Sequence, residues 1–212
     1  MFFVLSGLFL VFSLYFMFMG LKVLLSKRPF LLSAKYNFLV IVLAFASQLI
    51  IPVSNIFKLN RNAADGLNWL IILSPLFLVL FYAVLLYFLW KTMQGYFVVG
   101  ITEDSFREIL QNALSKLKLP YEERLSKMRL TNLNTDLQTS VNAWSGMASF
   151  KIKDKNNKET EKRIAEALRI DIAESNIQPN LRISYFYLVF GVLFLIFFVG
   201  FTYWTWSLTF YS

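Results

Sequence analysis

The sequence has neither cysteine nor histidine. It can therefore form no disulfide, no Cys or His metal site and no histidine ligand to haem. Catalytic devices built on imidazole or thiolate, such as Ser-His-Asp, Cys-His and HExxH, are closed to it as well. Charge is also scarce, since Asp, Glu, Lys and Arg make up only 16% of the 212 residues. The uncharged residues fall in blocks: residues 1–21, 36–57, 66–90 and 183–212 carry no charge at all. Each block exceeds the roughly 20 residues needed to span a bilayer's hydrocarbon core.

What the chain does have is apolar mass, 57% hydrophobic and 18% aromatic, well above a soluble domain. The first uncharged run has no basic n-region, is too long for a signal h-region and shows no small-x-small site before Lys22, so it reads as a retained transmembrane helix. The expected fold is a membrane α-helical protein of four transmembrane helices with an inserted cytosolic α+β domain. Residues 1–91 form a three-helix transmembrane region with spans near 2–21, 36–57 and 67–90. Residues 92–182 form the cytosolic domain, and 183–212 the fourth helix with a short outer tail.

Lysine and arginine resist translocation, which sets the expected orientation. Lys22, Lys27, Arg28 and Lys35 lie between the first two spans with no acid among them, whereas the next loop has Lys58, Arg61 and Asp65. This predicts an integral, multi-pass protein of the inner or plasma membrane, with both termini outside and residues 92–182 in the cytoplasm. Trp69, Trp204, Trp206 and Tyr211 are expected near the outer interface, and Tyr36, Trp90, Tyr96, Tyr185 and Tyr187 near the inner one.

Within the polar segment the order reads strand, helix, three strands, helix, that is β-α-β-β-β-α with an antiparallel meander. GYFVVGI (95–101) reads as a strand. Thr102 is a helix N-cap with Glu103 and Asp104 in the first turn, and Phe106, Ile109, Leu110, Ala113, Leu114 and Leu117 mark one apolar face up to Pro120. Alternation then predicts strands around Met128–Leu130, Leu137–Ala143 and Ala148–Ile152. A second helix near Glu159–Glu174 uses Ile164, Ala167, Leu168 and Ile172.

No motif for chemistry emerges. Asn132, Asn134 and Asp136 have the spacing of the first ligands of an EF-hand, but Leu137 and Ala143 stand where that loop needs glycine and glutamate, so they read as a hairpin turn. Helix, three strands, helix is also the order of double-stranded RNA-binding domains, yet NLNTDL stands in place of their Gly-Pro-x-His loop. The fifteen basic and twelve acidic residues from 91 to 182 also give little attraction for phosphate backbones. Nucleic acid is not an expected partner, and no cofactor, metal site or catalytic residue is expected.

Polar groups inside the expected spans are Gln48, Asn55 and Asn68, candidates for helix-to-helix hydrogen bonds or a pore lining. Lys22, Lys27, Arg28 and Lys35, interleaved with leucine and phenylalanine, are candidates for contact with anionic lipid or a partner. The expected function is that of a non-enzymatic accessory, scaffold or sensor subunit whose cytosolic domain binds a protein partner or small ligand. Its expected partners are the lipid bilayer and other subunits or copies of itself. One alternative is a homo-oligomeric pore or membrane-perturbing effector gated by the cytosolic domain; another is a carboxylate-based membrane enzyme acting on lipids.

Overall fold

The computed structural model describes residues 2–59, 69–124, 127–175 and 177–210. Its elements run α1 (Phe2–Ser26), β1 (Phe30–Ser33), α2 (Ala34–Leu59), α3 (Trp69–Thr92), β2 (Tyr96–Val99), α4 (Glu103–Lys116), β3 (Tyr121–Arg124), β4 (Lys127–Leu130), β5 (Thr135–Asn142), β6 (Met147–Ile152), α5 (Lys158–Glu174) and α6 (Leu181–Phe210). They group into two compact units. One takes Met1–Met17, Asn37–Met93 and Val189–Ser212, and the other Phe18–Tyr36 and Gln94–Leu188.

The first unit is helical. Two stretches, Ser6–Ser26 in α1 and Leu181–Ser207 in α6, are long and apolar enough to cross a membrane by length and composition. Within this unit α1 and α6 are joined by rings: Phe9 stacks on Phe197 and Phe201, and Phe16 on Phe194 with centroids 5.6 Å apart. The Ser13 hydroxyl donates to the Gly191 carbonyl at 2.8 Å. A Cβ at Gly191 would lie 2.6 Å from Met17 Cγ, so glycine there permits the close approach, as small residues do between apolar helices. Phe38 meets Trp90 edge-on and Phe45 meets Tyr82, joining α2 to α3, while the Tyr15 hydroxyl donates to Asn37 Oδ1 at 2.7 Å.

The second unit is built on an antiparallel sheet of six strands in the order β1-β2-β6-β5-β4-β3. The sequence reading counts four strands, and the two it lacks are the edges. β1, from the segment between α1 and α2, pairs with β2 in the register Phe30↔Val99 to Ser33↔Tyr96. β3 pairs with β4 from Tyr121↔Leu130 to Arg124↔Lys127. Leu130, Leu137, Ala148, Phe150 and Ile152 are buried together with Val98 and with the apolar faces of α4 and α5. A slip of one residue would turn every inward side chain of a strand outward, so this burial fixes the register.

Local signals set the helix ends. The Thr102 side chain accepts from the Ser105 N–H, capping α4. At the other end Lys118 has φ 53°, and the Leu119 N–H donates to the Leu114 carbonyl at 3.0 Å. α4 thus stops by a left-handed turn two residues before Pro120, the residue to which the sequence reading gave the stop. Lys116 pairs with Asp171, tying α4 to α5. Asp171 is only 6% exposed, and the hydrogen bond to its carboxylate raises the Lys116 pKa above 10.5.

Between β4 and β5, Thr131–Leu133 forms a single 3-10 turn and Asn134 takes φ 45°. Arg129 donates to Asn134 Oδ1 at 2.7 Å, so the Asn-x-Asn-x-Asp run lies in a hairpin connection. No group of three or more acidic side chains suited to a metal ion occurs among the described residues.

Candidate functional site

The second unit contains a cavity of about 490 Å³ formed by the last turns of α1, the segment after α5 and the first turns of α6. Lys27 and Arg28 line one side, Ser175 and Gln178 another, and Leu181 and Tyr185 a third. Among the described residues, no acidic side chain lines it.

Each wall is held by the local chemistry of its sequence. Lys27 follows the last residue of α1 with φ 48°, the left-handed ending that glycine most often supplies at a helix C-terminus. The chain can then turn back into β1, and Arg28 reaches α5 and donates through Nη1 to the Ala173 carbonyl. A cation on the last carbonyls of a helix is favoured by the helix dipole.

On the α6 side, the Asn180 N–H donates to the Gly100 carbonyl at 3.0 Å, and the Asn180 backbone carbonyl accepts from the Ile183 N–H at 3.2 Å at the start of the helix. The Tyr187 hydroxyl donates to the Ser145 carbonyl at 2.8 Å. Gly146, with φ 54°, packs so closely on Ile183 that an added Cβ would lie 1.9 Å from its Cδ1. These bonds hold the first turns of α6 against the β5–β6 hairpin, whose tip residue Trp144 meets Phe186 edge-on.

Ser175 Oγ is closed off from solvent and has no hydrogen-bond partner. Arg28 uses Nη1 on the Ala173 carbonyl, and its remaining guanidinium N–H groups can donate to a ligand.

Of the four basic candidates read from the sequence, Lys27 and Arg28 therefore meet in one cavity. Lys22 does not join them, because its ammonium lies over the Phe30 ring at 4.4 Å and the Phe18 ring at 5.3 Å, a cation–π arrangement. Lys35 is exposed in the first turn of α2. Gln48 and Asn55 fall on turns of α2 whose side chains lie outside the described set, and Asn68 lies outside the described residues altogether.

Two expected interface aromatics have other roles. Tyr96 sits in β2 with its ring stacked on Phe150 at 5.5 Å, and Tyr187 is 2% exposed. Burial, with Glu161 and Glu166 adding to it, pushes the Tyr96 phenol pKa up. Ser175 and Gln178 were not legible as cavity residues in sequence, since each is a lone polar residue in no motif.

A second cavity of about 320 Å³ lies between α4 and the sheet, lined in part by Glu103, Arg107, Glu123 and Ser140. Its arginine already pairs with Glu123, so its strongest donor is engaged. The chain matches no protein-family model, no curated protein is significantly similar to it, and no solved structure is either.

Proposed function

We propose that the chain is a four-span integral protein of the cell membrane, with both termini outside and residues 92–182 in the cytoplasm. On this reading it acts as a non-enzymatic accessory or sensor subunit whose cytoplasmic domain binds a partner or small ligand. Its length supports the span count: 26 residues in α2 and 24 in α3 extend roughly 39 and 36 Å at a helical rise of about 1.5 Å per residue, against the ~30 Å hydrocarbon core. The flank of α3 supports it too, with Leu73, Leu76, Phe77, Leu80, Phe81 and Val84 all exposed. Water would penalise such a surface, and acyl chains would not. The excess of Lys and Arg between α1 and α2 supports the orientation.

The observation that carries the binding role is the basic cavity at the helix ends, with two cations and, among the described residues, no acid. A cavity of this size with few convergent polar groups is the usual form of a small-ligand site.

The test is to purify the full-length protein in mild detergent from its own host, measure the mass of the complex and identify what remains bound. A stoichiometric foreign subunit or retained small molecule is expected. A bare monomer, or a specific turnover by the purified protein, would refute the accessory role, and a closed ring of identical chains would point to a pore instead.

A further inference from the structure

Three features of the helix-end cavity together specify what it holds. The first is charge: Lys27 and Arg28 line it and, among the described residues, no carboxylate does. Lysine stands at φ 48°, where glycine would carry the turn with less strain. The second is hydrogen bonding. Beside the two cations the lining includes Gln178 and Tyr185, residue types whose side chains can donate hydrogen bonds. An anion rich in acceptor oxygens satisfies all of these donors together, and arginine beside lysine suits phosphate in particular.

The third is position. Leu24 and Lys27 close α1, and Leu181 and Tyr185 open α6. Among the described residues, the stretches long and apolar enough to cross a membrane lie in these two helices. In a bilayer, the polar ends of such helices lie at headgroup depth, and basic pockets there take anionic headgroups. Leu24 and Leu181 then offer apolar walls to the glycerol and first methylenes.

We infer that this cavity binds the phosphate group of an anionic phospholipid, with Lys27 and Arg28 on its phosphate oxygens. The inference deepens the membrane reading above and rests on it. A soluble phosphate shares the anionic half of this chemistry and lacks the apolar half, so the two sources can be told apart.

The experiment uses the delipidated full-length protein in detergent, offered phosphatidylglycerol or phosphatidylcholine, with retained lipid counted by native mass spectrometry. A parallel arm adds millimolar inorganic phosphate as competitor. The expected result is preferential retention of phosphatidylglycerol that inorganic phosphate does not displace. Lys27→Gln should cut the preference several-fold and the double variant with Arg28→Gln by about tenfold or more, from two lost contacts to the anionic headgroup. Lys118→Gln should leave it unchanged.

Because Arg28 also caps α5, its variant can fail to fold, and the Lys27→Gln result then decides alone, read beside an unchanged circular dichroism spectrum. Equal retention of both lipids, an unchanged preference in Lys27→Gln, or displacement by inorganic phosphate would overturn the lipid assignment. Alkaline carbonate extraction of membranes separates the two failures. Protein released by carbonate refutes the membrane reading and this inference with it, whereas protein that stays in the pellet without a lipid preference refutes the inference alone.

Discussion

Gly146 combines two constraints at one residue. Its φ of 54° disfavours any side chain, and a Cβ would collide with Ile183. Gly146→Ala is therefore expected to lower stability by about 1–3 kcal/mol, read as a fall in the melting temperature of the full-length protein; an unchanged melt would show that the hairpin does not bear on α6 as described. Glu161 is the residue for pH. Its Oε2 accepts from the Ile152 N–H at 3.0 Å, but burial outweighs that bond and raises its pKa above 4.5. The folded state then holds more protons than the unfolded one between 4.5 and the raised value, so this carboxyl's contribution declines as pH rises through that window and is level above it. Glu161→Gln keeps an acceptor without the charge. The difference in melting temperature between it and the wild type should widen in the variant's favour from pH 4 to pH 7; a difference that is flat with pH would contradict the assignment. Lys116 runs in the same direction with pH for a different cause: its hydrogen bond to Asp171 favours the cation, and the raised pKa contributes stability below 10.5 that is lost as pH rises through the folded value. Lys116→Met should lower the melting temperature at neutral pH by leaving the buried Asp171 carboxylate unpaired, and Lys116→Arg should restore most of the loss.

Among the elements, α4 and α5 were legible because their apolar residues recur at three and four and because a capping threonine precedes α4. The same faces form the core, so Leu110→Ala or Leu168→Ala, each at a residue with no exposure, is expected to cost about 2–5 kcal/mol, measured by denaturant unfolding followed through the domain's helicity. The inner strands were legible by alternation. β1 and β3 were not, for different reasons. FLLS is too short to show a period, sits among basic residues, and finds its partner β2 more than sixty positions later. YEER is an edge strand whose one apolar residue, Tyr121, is only partly buried against the core, too little to show alternation, and charged edges of that kind guard against unwanted pairing. The cavity was half legible: Lys27 and Arg28 stood out as a basic cluster, but Arg28 meets its partner Ala173 at a separation of 145 positions, and no local pattern announces a contact that distant.

At the scale of the whole molecule, the proposed function divides one chain between apolar helices for the bilayer and a sheet domain for binding at the cytoplasmic face. The signals for the first are long and compositional, so sequence carries them well. The signals for the second are a few residues brought together by folding, and sequence carries them poorly. The absence of cysteine makes the placement of the sheet domain directly measurable, because a single introduced thiol has no background. Asn62→Cys, between α2 and α3, and Ser115→Cys, exposed on α4, would each be treated in intact cells with a membrane-impermeant maleimide, then again after the membrane is opened. The prediction is that Asn62→Cys labels in intact cells and Ser115→Cys only after opening; labelling of Ser115→Cys in intact cells would contradict a cytoplasmic sheet domain.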